Sequence, residues 1–188
     1  MRAVIVLTVL TAILHLGLRN YITRQFGQDV LDRFIERDKY IPSLKQQNLK
    51  DNDGRLTASN LLLWISDPAN QVNRRGYVAP VILPLDILFL ISLGSLLGCL
   101  SQLLASRIGL IAGWPAMVWW LFPATYLVCD LVEDGLIVSL LSWPDTLNAI
   151  SFAALRFFTV AKILTVTIAF LQNGALLLWW ISTRLGLG

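Results

Sequence analysis

Residues 78–104 form a run of 27 with a single charge, Asp86. A helix of about 20 apolar residues crosses the hydrocarbon core of a bilayer. In that medium every backbone amide must find its partner inside the chain, which leaves a helix as the simplest solution. Three further stretches have the same character: residues 3–18, 108–141 and 146–182. The first is short but sufficient if its flanks sit among headgroups. The last two exceed one crossing, so each must tilt, kink or project. Residues 3–14 behind Arg2 have the layout of a secretory leader, but no small-x-small cleavage site follows them. Composition agrees with lipid as solvent: 56% of residues are hydrophobic and 14% charged, with mean hydropathy +0.65. A soluble domain carries about a quarter charged residues.

The expected fold is an all-α integral membrane protein with one membrane domain over residues 1–188. It is a four-helix transmembrane bundle with spans near 3–19, 78–104, 110–141 and 147–182. Pro115 and Pro123 are expected kink sites in the third span. Trp119, Trp120, Trp179 and Trp180 suit interfacial belts. Gly94 and Gly98 make a small-xxx-small face for close helix approach. Cys99 and Cys129 sit in apolar stretches and read as small packing residues.

Residues 20–77 read as an amphipathic, helical, extramembrane loop between spans one and two. Val30, Leu31, Phe34 and Ile35 lie at helical spacing, with Asp29, Asp32, Arg33, Glu36 and Arg37 off that stripe. A second apolar run, 61–65, follows Thr57 and Ser59 as possible caps and stops at Asp67-Pro68. Both helices either lie on the membrane surface over the bundle or pack on each other. Ten of fifteen basic residues fall between Arg19 and Tyr77, which places this loop on the cytoplasmic or matrix side by the positive-inside rule.

Few charges lie in the spans, and their positions correlate. With alternating helix direction, the end of span one, the start of two, the end of three and the start of four share the loop side. Asp86 lies nine residues after Tyr77, and Asp130, Glu133 and Asp134 lie eight to twelve before Ser142. At 1.5 Å per residue these carboxylates sit roughly 12–18 Å below the loop side. Arg156 lies eight residues after Asn148 and His15 lies just before Arg19. Lys162 starts deeper, but helical side chains lean toward their own N-terminus, returning its ammonium to the same level. Asp130, Glu133 and Asp134 share a helix face at i, i+3, i+4.

Each such charge costs roughly 2.5–3.5 kcal/mol on insertion scales, so the group must face inward or line a wet cavity. Four carboxylates against Arg156 and Lys162 leave two without a cation. Those two bind protons or a metal ion, pair with a partner's basic groups, or reach water. A polar cluster that only fixes helix order and register is the reading the residue types favour. Carboxylates also suit a hard cation, although a single His offers little to softer metals. Gln172 and Asn173 are expected to make interhelical hydrogen bonds.

Three short motifs also carry a resemblance. Leu85-Asp86 with Phe89, Asp130-x-x-Glu133, and Phe158-Thr159-x-x-Lys162 occur in successive spans. Together they resemble an uncharacterised family of small four-helix membrane proteins with LD..F, D..EN and FT..K motifs in that order. The family's polar loop often ends in a GR..Y stretch, of which Arg74-Arg75-Gly76-Tyr77 is a loose version. Asp134 stands where the family usually has Asn. The resemblance implies a shared architecture and a paired Asp/Glu–Lys arrangement that includes Thr159, and no activity.

Function is constrained mainly by what is missing. The chain has no P-loop, no nucleophile spacing and no inverted repeat, and a net charge of +3 does not suggest nucleic acid. The expectation is a non-catalytic integral membrane protein, an accessory or structural subunit of a larger membrane complex, with no cofactor and no metal site. Its partners are membrane lipids and other membrane subunits, in a bacterial plasma membrane or an organelle inner membrane such as the mitochondrial one. The alternative is a small membrane-embedded enzyme or ion/lipid-handling protein that works through the intramembrane Asp/Glu/Lys cluster.

Overall fold

A computed structural model describes residues 1–30 and 58–185. Every regular element among them is helical. The long first helix, α1 (Arg2–Val30), does not end where the apolar stretch does. Residues 20–30 contain no proline, so the helix continues into polar sequence. The change at Arg19 marks the limit of apolar sequence and not the end of the helix. The Leu31, Phe34 and Ile35 part of the expected amphipathic stripe lies outside the described residues.

Short α2 (Ala58–Ser66) ends as expected at Asp67-Pro68. Asp67 turns the chain by accepting a 2.9 Å hydrogen bond from the Ala69 amide. Asn70 Nδ2 donates to the Trp64 carbonyl at 3.0 Å, which satisfies a group the helix end leaves open. Leu61, Trp64 and Ile65, at i, i+3, i+4, are buried against Leu18 and Ile22 of α1 and against Ile137, Leu140 and Leu155. Of the two placements open for this run, the structure has it packed over the ends of the long helices.

After α3 (Gln71–Gly76) the chain is irregular from Tyr77 to Asp86. The helix expected from residue 78 instead begins at Ile87, as α4 (Ile87–Ala105). The cause is two prolines: Ala79 (φ −142°, ψ 123°) and Leu83 (φ −113°, ψ 105°) precede Pro80 and Pro84 and are extended. A proline ring excludes the α conformation from the residue before it. A series of tight turns follows α4, among them Ile111 to Ile108 and Trp114 to Ile111 at 3.0 Å. Pro115 then leads into α5 (Ala116–Ser142), so it opens this helix rather than kinking it, and only Pro123 lies inside. Asn148 caps α6 (Ala149–Arg184): its Oδ1 accepts from the Ile150 and Ser151 amides at 2.9 and 3.0 Å. Ser151 Oγ accepts from the Asn148 amide in return, completing a capping box.

Among the described residues three stretches, Arg2–Gln25, Pro68–Ala105 and Ala149–Arg184, are long and apolar enough to cross a membrane. The most extensive packing joins α5 to α6 and α4 to α5, while α1 rests mainly on α4. Gly94 and Gly98 hold the α4–α5 approach. A Cβ on Gly94 would lie 2.5 Å from Leu127 Cγ, and one on Gly98 would lie 2.6 Å from Trp120 Cε3. Trp120 thus covers a glycine, and Trp119 is buried and stacked on Trp114 at 5.8 Å. These two indoles, in the first turns of α5, pack between helices.

Candidate functional site

The α5–α6 interface contains the charged group. Asp130, Glu133 and Asp134 are all buried, Glu133 completely. Lys162 Nζ, on α6, donates to Asp130 Oδ1 at 2.7 Å and pairs with Glu133 Oε2. Thr159, one turn earlier on the same face, hydrogen-bonds through Oγ1 to Glu133 Oε1. Its hydroxyl also faces the Leu155 carbonyl at 2.9 Å. One hydroxyl proton serves only one of these acceptors at a time. The Asp130-x-x-Glu133 and Thr159-x-x-Lys162 pairs therefore interlock, each i, i+3 pair meeting the other across the interface.

Asp134 is different. It is 5% exposed, and its Oδ2 has no hydrogen-bond partner among the described residues. Its electrostatic neighbours include Asp86, at the end of the broken segment, and Asp130. Tyr126, one turn before Asp130, is buried and faces Asp130, Asp86 and Asp134. The sequence reading missed this phenol. Its signal was present, since Tyr126 and Asp130 are i, i+4 on one face.

Two residues assigned to the cluster lie apart from it. Arg156 is exposed on α6 and makes no ion pair among the described residues. Six residues separate it from Lys162, which at 3.6 residues per turn points the two side chains about 120° apart. Matching depth does not bring two residues together when they face different directions. His15 is exposed on α1, with its ring 5.7 Å from Phe89 of α4. Among the described residues three buried carboxylates on α5 thus face one ammonium. Among the described residues no group of three or more His, Cys, Asp or Glu is arranged to hold a metal ion.

A second polar layer lies ten residues further along α6. Gln172 Nε2 donates to Ser101 Oγ at 2.9 Å and to the Trp119 carbonyl at 3.0 Å. Asn173 Nδ2 donates to the Leu97 carbonyl at 3.2 Å. Both amides link α6 to its neighbours, as the sequence suggested. Between α1 and α4, Thr11 and Ser92 hydroxyls meet at 2.7 Å.

The described chain is thus an all-helical protein whose long apolar helices are compatible with a membrane location, crosslinked internally by ionic and amide contacts. No family model, no curated protein and no solved structure matches it.

Proposed function

We propose that this chain crosses a membrane four times as a four-helix bundle and serves, without catalysis of its own, as an accessory or structural subunit of a larger membrane complex. In this reading α5 is the fourth span. At 27 residues it is about 40 Å long, and two of its three acids, Asp130 and Glu133, are matched internally by Lys162 and Thr159. The observation that carries the subunit reading is α1. Only 11% of its most apolar window is buried, and it rests mainly on one neighbour. Ile5, Val6, Val9, Ile13 and Leu16 are all exposed. Hydrocarbon covers such a face, and the surface of a further membrane subunit would cover it equally. The Asp130–Lys162–Glu133–Thr159 network then acts as the lock that sets the register of α6 on α5.

The test is gentle detergent extraction followed by native mass measurement. A stoichiometric set of other membrane proteins is the expected result. A lone, monodisperse chain with bound lipid or metal overturns the subunit reading.

A second reading, ion or proton handling through the cluster, is favoured by one observation. Asp134 is buried with an unpartnered oxygen and has Asp86 for a neighbour. It requires that proton or cation flux into vesicles containing the purified chain be abolished by Asp134→Asn. Absence of flux in the unaltered chain removes it.

A further inference from the structure

At the loop end of α5, a cavity of about 330 Å³ opens between α3 and the end of α5. Its lining is Gln71, Arg74, Arg75, Val78, Leu141 and Ser142. Two arginines, a glutamine and a serine border it, and no carboxylate is among the described lining residues. Arg74 Nε is buried without a hydrogen-bond partner, and neither arginine makes an ion pair among the described residues. A guanidinium offers five N–H donors and no acceptor, and no carboxylate among the described lining residues pairs with these two. The chemistry that answers them is a phosphate, whose oxygens the planar fork engages in pairs.

The position of the cavity selects the form of that phosphate. Ser142 is the last residue of α5, and a helix of about 40 Å across a core of about 30 Å has its ends among the headgroups. Trp143, next in the chain, is 63% exposed, as an interfacial indole is. Val78 and Leu141 give the same pocket an apolar wall. A lining that is both basic and aliphatic suits a ligand with a charged headgroup and acyl chains. Basic pockets at helix ends hold anionic lipids in this way.

We propose that Arg74 and Arg75, with Gln71 and Ser142, form a binding site for the phosphate of an anionic phospholipid. The inference rests on the membrane-spanning reading, and its test separates the two. The unaltered chain and the double variant Arg74→Gln/Arg75→Gln are reconstituted in vesicles of phosphatidylcholine with a minor fraction of phosphatidylglycerol. The vesicles are washed with alkaline carbonate and dissolved in mild detergent, and retained lipids are counted by native mass spectrometry. Release of the unaltered chain by carbonate sinks the membrane-spanning reading and the lipid site with it.

With the chain retained, the expected result is about tenfold preference for phosphatidylglycerol over phosphatidylcholine, falling to near parity in the variant. Equal retention of both lipids by the unaltered chain, or an undiminished preference in the variant, overturns the site. Inorganic phosphate is added to the detergent-purified chain as a separate arm. Its binding at the arginines with no lipid preference overturns the lipid assignment in favour of a soluble phosphate. If the double variant does not fold, Gln71→Glu, which sets a carboxylate in the lining and keeps both arginines, must abolish the preference. A preference that survives that change also overturns the site.

Discussion

Lys162→Met removes the ammonium shared by Asp130 and Glu133 while keeping a long, flexible side chain at that position. Breaking a buried pair by deleting one partner costs about 3–5 kcal/mol, chiefly because the remaining charge is stranded. Here two carboxylates lose their cation, one of them wholly buried, yet the Lys162 side chain is itself 27% exposed. Partial access to solvent lowers the estimate to the bottom of that range, about 3 kcal/mol. The rescue is asymmetric. Glu133→Gln in the same chain removes the more deeply buried stranded charge and leaves an amide oxygen to accept from Thr159 Oγ1. Asp130→Asn recovers less, because Asp130 keeps slight exposure and Tyr126 as a neighbour. Unfolding of the purified proteins in mixed micelles, analysed as a double-mutant cycle, should give a Lys162–Glu133 coupling of about 2 kcal/mol, within the range for contacting residues. A loss under about 1 kcal/mol for Lys162→Met would refute the reasoning, since a broken buried pair costs several times that. So would a double variant as unstable as the sum of the singles.

Gly98→Ala should destabilise by about 1–3 kcal/mol, the usual cost of overpacking, because the rigid Trp120 ring lies against the new methyl. Gly94→Ala should cost less, since Leu127 can turn aside, and melting curves of the two variants rank them directly. Asp134→Asn should leave stability within about 1 kcal/mol of the parent, whereas Glu133→Gln alone should cost more by weakening the Lys162 contacts. Thermal unfolding with and without a chelator checks both, and a chelator-sensitive midpoint with stoichiometric metal would contradict a purely structural cluster. For topology, single cysteines at positions 2 and 107 should label from one side of the membrane and a cysteine at 145 from the other. Labelling of 107 and 145 from the same side would rule out four crossings.

Helical character followed from local composition, and so did some of its limits. Long apolar runs, the stop at Asp67-Pro68 and the Asn148 start are written within a few neighbouring residues, because helix hydrogen bonds and caps reach only three or four positions. The break before α4 was equally local: Pro80 and Pro84 forced it, and reading hydropathy alone passed over them. The glycine face was legible as spacing, but its partners, Leu127 and Trp120, were not. Depth along the helices brought Asp130, Glu133, Thr159 and Lys162 to one level, since rise per residue is constant. Depth alone also placed Arg156 and His15 there, and rotation moved them out. Which face of α6 meets α5, and which helix α1 rests on, depends on packing between segments far apart in sequence. Buried Leu155 and Thr159 point inward with Lys162, and that choice turns Arg156 outward. The pocket of Arg74 and Arg75 is tertiary in the same sense. The two arginines are adjacent in sequence, but Leu141 and Ser142 complete the site only because α3 packs against α5.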